Sequence, residues 1–221
     1  MSHLLIIEDE QDTLENLVNK LTDKFPDYKI SKAFDCDEGF RIMNLSKVEC
    51  PVNLLITDLT FRRQPASRNI KDGMSLLQKL RTLKYCLSCI VYSSHDELQF
   101  IHTVMNNFQP EGYVLKSRDG TDELILAISK ILNGGKYYSQ EVHDSQKKRL
   151  FFAEQLDTID QKIIEYLPGI NSITDWDSLY EEGKMPIKYK SVKNRLHIIL
   201  QKMEVDNEKQ LLLKLQKMAI I

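Results

Sequence analysis

The sequence predicts an α/β domain built on a parallel sheet wound on both faces, followed by a small all-α domain. Two observations lead there. Up to residue 138, short apolar runs alternate with helix-length amphipathic segments five times, and five repeats of strand then helix imply a parallel sheet covered on both faces. Beyond Phe151 the strand pattern stops, and only apolar spacing of three and four residues remains, the signature of helices.

The elements follow in order. Strands are predicted near 3–8, 28–33, 53–58, 88–93 and 112–116, and helices near 11–24, 36–46, 73–84, 96–107 and 121–133. Gly134-Gly135 closes the last of these helices, because glycine takes the left-handed conformation that ends a helix. The polar run Ser139 to Arg149 reads as a linker. Leu156, Ile159, Ile163, Ile164 and Leu167 keep helical spacing until Pro168-Gly169. A short helix runs through Trp176 and Leu179 to Glu182, with Trp176 read as core. Val192, Leu196, Ile199, Leu200 and Met203 form one apolar helical face. The last helix carries Leu211, Leu212, Leu215 and Met218, as core or as a dimer face. The predicted organisation is a domain over 1–138, a linker over 139–150 and a helical domain over 151–221.

Composition narrows the function classes. Net charge over 221 residues is −2, so global charge names no partner. No apolar run approaches the ~20 residues of a membrane span, and Leu4–Ile7 is too short and too acidic at its end for a signal peptide. Cys86 and Cys89 have C-x-x-C spacing, but no second pair and no nearby paired histidines accompany them. A structural role in a reducing cytosol is expected rather than a metal site. Charge is nevertheless split. Residues 1–144 hold 17 basic and 21 acidic residues, and 145–221 hold 13 and 11. Lys184 to Lys202 has six basic residues and no acid, whereas Thr174 to Glu182 has four acids and no base. A helix with a basic polar face is the footprint of phosphate-backbone binding.

The strand ends carry the chemistry. Leu4–Ile7 runs into Glu8-Asp9, Asn53–Thr57 into Asp58, Cys89–Tyr92 into Ser93-Ser94, and Gly112–Leu115 into Lys116. Parallel strands deliver such residues to one crevice beyond their C-terminal ends. Acids gathered with one lysine suit a divalent cation and a phosphoryl group, since Mg2+ prefers oxygen ligands and catalysis of phosphoryl transfer is largely positioning and charge stabilisation. Taken singly, an Asp at a strand end is a helix cap or a loop acid; the convergence argues for a phosphoacceptor.

These residues carry a family resemblance. Glu8-Asp9, Asp58, Ser93-Ser94 with His95-Asp96-Glu97, and Gly112 to Lys116 resemble, in order and spacing, the receiver domain of two-component response regulators. Asn133 to Ser139 resembles the receiver ending of the LuxR-type (NarL/FixJ) branch, and Ser191 to Leu196 with Ile199 to Met203 resembles that branch's recognition helix. The resemblance implies a flavodoxin-like, five-stranded receiver with Asp58 as phosphoacceptor. It makes Glu8, Asp9 and Asp58 the Mg2+ ligands, Lys116 the phosphate-pairing lysine, Ser93 the hydroxyl that meets the phosphoryl group and Tyr113 the aromatic switch. It also implies a sensor histidine kinase as donor, a homodimer in the active state, a bacterial cytoplasm and transcriptional control through a helix-turn-helix domain. There Lys193 and Asn194 sit where the family pattern contacts DNA, at a base or at a phosphate, Lys188 and Lys190 meet phosphates, and His197, turned outward, is counted with the DNA-binding residues. On this reading the chain is no enzyme beyond its own phosphorylation and dephosphorylation.

Two stretches depart from the pattern. Phe61 to Asp72, with Arg62, Arg63 and Arg68, is longer than the family's loop after the phosphoacceptor and is expected to be a mobile cover over the site edge. Thr174 to Leu179 is acidic where the family opens its first DNA-side helix, and the region up to Ser191 is also long. An adaptor whose helical domain binds a protein is therefore the alternative function, with a small α/β phosphatase behind it.

Overall fold

The computed structural model describes residues 2–61, 69–218 and 220–221. The predicted loop cover, with its arginines, lies largely outside the described residues. The chain divides into two compact units, one of residues 1–96 and 100–143, the other of residues 97–99 and 144–221.

The first unit opens with β1 (His3–Ile7), α1 (Gln11–Lys24), β2 (Lys29–Ala33), α2 (Cys36–Leu45), β3 (Leu54–Thr57) and α3 (Gly73–Thr82). It continues with β4 (Ser88–Ser93), α4 (Leu98–Asn107), β5 (Gly112–Leu115), α5 (Gly120–Leu132), β6 (Tyr137–Tyr138) and the start of α6 (Gln140–Glu154). The strands form one sheet of order β2-β1-β3-β4-β5-β6, every pairing parallel. This is the doubly wound, flavodoxin-like arrangement, extended from the expected five strands to six. Side chains alternate across it, as a period of two requires. Leu5, Ile7, Leu55, Val91 and Tyr113 enter one core with Met43, Leu76 and Val104 of α2, α3 and α4. Leu4, Ile6, Leu54, Ile56, Ile90 and Val114 enter the other with Leu14, Leu17, Leu124 and Ile128 of α1 and α5.

The register fixes where the strands end together. Ile7 pairs with Thr57, Thr57 with Val91, and Ser93 with Leu115. Glu8, Asp58 and Lys116 are the next residues out. Helix α3 is capped by the Asp72 carboxylate, which accepts from the Ser75 amide at 2.7 Å. It begins against Asp58: a Cβ on Gly73 would overlap the Asp58 carbonyl oxygen, so only glycine permits this approach.

The stretch read as a linker is helical. Ser139 explains the start of α6. It is fully buried, its hydroxyl accepts from the Leu115 amide at 3.1 Å and donates to Glu123 at 2.7 Å, and its own amide donates to the Tyr113 carbonyl at 2.9 Å. Val142, one turn on, is also fully buried.

The second unit holds α7 (Thr158–Tyr166), a 3-10 turn (Leu167–Gly169), α8 (Ile173–Glu181), α9 (Tyr189–Lys202) and α10 (Glu208–Lys217). Capping boxes at Asp157 and Ser172 start α7 and α8, and the Asn207 side chain caps α10; each satisfies amides a helix start leaves unpaired. Ile163, Trp176, Met185, Val192, Leu196, Ile199, Leu211 and Leu215 form the core. Trp176 is core, as expected. Of the α10 leucines, Leu211 and Leu215 are buried in this core, and Leu213 is exposed. Among the described residues no helix is long and apolar enough to cross a membrane.

Candidate functional site

Glu8, Asp58, Ser93 and Lys116 meet at the C-terminal edge of the sheet. Lys116 Nζ donates to Asp58 Oδ2 and Glu8 Oε2, both at 2.6 Å. The other oxygen of Asp58 accepts from Ser93 Oγ at 2.6 Å and from the Leu59 amide at 2.5 Å. Asp58 is 5 % exposed, Glu8 2 % and Ser93 fully buried. Glu8, Asp9, Glu10, Asp58, Thr60, Ser94 and Lys116 line a cavity of about 350 Å³. The predicted cluster of acids, hydroxyl and lysine is thus brought together.

Electrostatics set its state. Burial raises the Glu8 pKa against the opposing pull of Lys116. Burial alone would lower that of Lys116, but attraction to Asp58 and then Glu8 outweighs it, and the lysine's pKa is raised. The ammonium is held charged by two carboxylates in a partly water-excluded site, where such pairings are stronger than in water. Glu8, Asp9 and Asp58 carry carboxylate oxygens, the donor type Mg2+ prefers. In the present arrangement Lys116 bridges two of them, and among the described residues no group of three His, Cys, Asp or Glu side chains stands close enough to hold a metal ion.

Tyr113 is fully buried, and its hydroxyl donates to the His95 carbonyl at 2.8 Å. Sequence reasoning missed Thr60 and quoted His95 without giving it a role. The His95 amide reaches Ser93 Oγ at 3.4 Å, its ring nitrogen Nε2 lies 3.3 Å from Thr60 Oγ1, and the ring stacks on Phe100 with centroids 4.3 Å apart. The available signal was position: each lies two residues beyond a strand-end group, Asp58 or Ser93.

In the helical unit, Val192, Leu196 and Ile199 bury one face of α9, and Lys190, Lys193, Asn194 and His197 are exposed, with Lys188 exposed at the N-cap. Arg195 is different. Its Nη1 donates to Asp157, which caps α7, and to Asp160 in its first turn. On α8 and just past it, Asp177, Glu181 and Glu182 face solvent; Glu182 pairs with Lys184 at 2.6 Å.

No family model matches the chain. It is 25 % identical over 224 residues to the transcriptional regulatory protein DegU of Brevibacillus brevis, covering 94 % of this chain and 89 % of that protein. The RcsB response regulator of Salmonella typhimurium aligns over 97 % of both chains with a TM-score of 0.65 at 20 % identity. RcsB in a structure with DNA aligns over 98 % of both chains with a TM-score of 0.57 at 21 % identity. Fold and strand-end cluster together are similar to those of response regulators with an N-terminal receiver. In both the sequence relative and the solved structure the likeness runs over nearly the whole chain, through the α/β unit and the helical unit that follows it.

Proposed function

We propose that this chain is a LuxR-type response regulator that controls transcription, receiving a phosphoryl group on Asp58 from a sensor histidine kinase and binding DNA through α9. The observation that carries the reading is the convergence of Asp58, Glu8 and Lys116 on one cavity, with Ser93 hydrogen-bonded to Asp58 behind it. In the transfer an Asp58 carboxylate oxygen attacks phosphorus, the bond from phosphorus to the donor's nitrogen breaks, and an acyl phosphate forms. Lys116 offsets the charge on the incoming group. Ser93 is placed to turn its hydroxyl from Asp58 to a phosphoryl oxygen, with Tyr113 following through the His95 segment. Glu8, Asp9 and Asp58 are the residues that would hold Mg2+, which when bound neutralises charge on the phosphoryl oxygens. The new charge biases a two-state element, and a homodimer is the proposed active form. The chain turns over no substrate but its own phosphoryl group, and its place is the bacterial cytoplasm.

DNA binding is supported by the exposed basic residues of α9, by the succession of α8 and α9, the order a helix-turn-helix requires, and by the description of RcsB with DNA. The test is treatment with acetyl phosphate and Mg2+, followed by intact-mass analysis of wild type and Asp58→Asn. Wild type gains one phosphoryl mass and the variant none; equal modification of both sinks the reading.

A further inference from the structure

With α9 taken, as proposed above, to be the helix that faces DNA, we infer that Arg195 is a positioning residue that clamps α9 to the start of α7 and does not itself meet DNA. By sequence it belongs to the basic run Lys184 to Lys202. By structure its side chain is committed elsewhere. One guanidinium nitrogen lies 2.6 Å from Asp157 Oδ2 and 2.7 Å from Asp160 Oδ1.

Those two carboxylates are themselves fixed. Asp157 Oδ1 accepts from the Ile159 and Asp160 amides at 2.8 and 2.9 Å, and Asp160 Oδ2 accepts from the Asp157 amide at 3.4 Å. They close the box that starts α7, where negative charge is favoured by the helix dipole. Asp160 is 8 % exposed, and a buried carboxylate needs a charged partner. Arg195 is that partner. The amide bonds from Asp160 and then the guanidinium hold the Asp157 carboxyl below its usual range.

Direction around the helix agrees. Arg195 lies two residues from both Lys193 and His197, roughly 200° away in each case. It sits beside the buried Leu196, so the clamp fixes how α9 turns while the exposed side chains stay available to DNA. The isolated ion pair of an exposed surface contributes little; here one cation joins two anchored acids, one of them buried.

The clamp is tested in the full-length protein with Arg195→Gln, Arg195→Lys, Asp160→Asn and the Arg195→Gln/Asp160→Asn double variant. Binding of acetyl-phosphate-treated protein to a duplex from upstream of its own coding region is measured across a salt series. A positioning role predicts that Arg195→Gln and Asp160→Asn each weaken binding several-fold, that the double is no weaker than the worse single, and that Arg195→Lys recovers most of the affinity. The slope of log affinity against log salt stays at the wild-type value, whereas a lost phosphate contact lowers it by about 0.9. Overturning results are a slope lowered in Arg195→Gln, or tighter binding in Asp160→Asn, which would mean a freed arginine reaches DNA. Urea unfolding of the same set separates the two readings: additive losses sink the clamp whatever DNA does, and a wild type that binds no duplex at low salt sinks the DNA reading while coupled losses keep the clamp.

Discussion

The two units carry charge in opposite ways. In the receiver, Glu8 and Asp58 are buried and share one ammonium; every oxygen that matters has a fixed donor. On α9 the basic groups of Lys190 and Lys193 face water. Buried charge is costly unless paired, so a change of one charge at Asp58 must be answered by movement of its neighbours. Exposed charge costs little to keep and acts at range through counterion release. The first arrangement suits a switch; the second suits a landing surface. Arg195 and Asp160 bring a piece of the receiver's logic into the helical unit.

That contrast is open to direct attack. The largest expected effect comes from Lys116→Met, which leaves Glu8 and Asp58 as two buried acids without a cation. Breaking a buried pair costs about 3–5 kcal/mol, measurable by urea unfolding at pH 7. The loss should narrow as pH falls, because Glu8, whose pKa burial already raises, then takes up a proton. A variant as stable as wild type would mean that the pairing is not what holds the receiver site.

Lys190→Ala/Lys193→Ala should do the reverse. Stability should stay within about 0.5 kcal/mol of wild type, while the salt slope of DNA binding falls by about 2 if both meet phosphates. Unfolding and binding titrations on one preparation decide it. Equal binding by variant and wild type removes α9 from the DNA interface and leaves a protein partner as the better occupant of that face.

The smallest effect sharpens the comparison by adding a buried base far from the acids. His3 is fully buried at the start of β1, with Nδ1 2.8 Å from the Cys50 carbonyl and Nε2 2.8 Å from Ser31 Oγ; a carbonyl only accepts, so Nδ1 carries a proton. Burial lowers its pKa from 6.5. The unfolded chain then binds the proton more readily, so this residue's contribution is whole above pH 6.5 and is lost as pH falls below it. Wild type should lose stability over that window by more than His3→Gln does; parallel curves would assign the acid sensitivity to other groups.

What was legible in the sequence follows the same division. The receiver's strands are short apolar runs, and a run ending in a charged residue announces both the strand and the crevice it points to, so Glu8, Asp58, Ser93 and Lys116 could be placed before their contacts were known. Strand β6 could not, because two residues carry no alternation. Helix α6 was masked by its polar composition; it is fixed by a buried serine rather than by an apolar stripe. Thr60 and His95 are held by hydrogen bonds between loops, which leave no periodicity. Arg195 reads like its basic neighbours until the acids of α7 fold beside it. The last helix could be split into core and exposed positions only once its packing was known.

Ser139 has a practical consequence for anyone cutting the chain. A receiver fragment ending at Tyr138 would strip β5 of the hydroxyl that satisfies the Leu115 amide, next to Lys116, and would discard the side chain of Val142. A fragment extended past His143 keeps both. The two pieces would differ by less than two helical turns of chain, yet only the longer would be a faithful stand-in for phosphorylation assays. By the same token, nicking between Tyr138 and His143 would damage the switch itself.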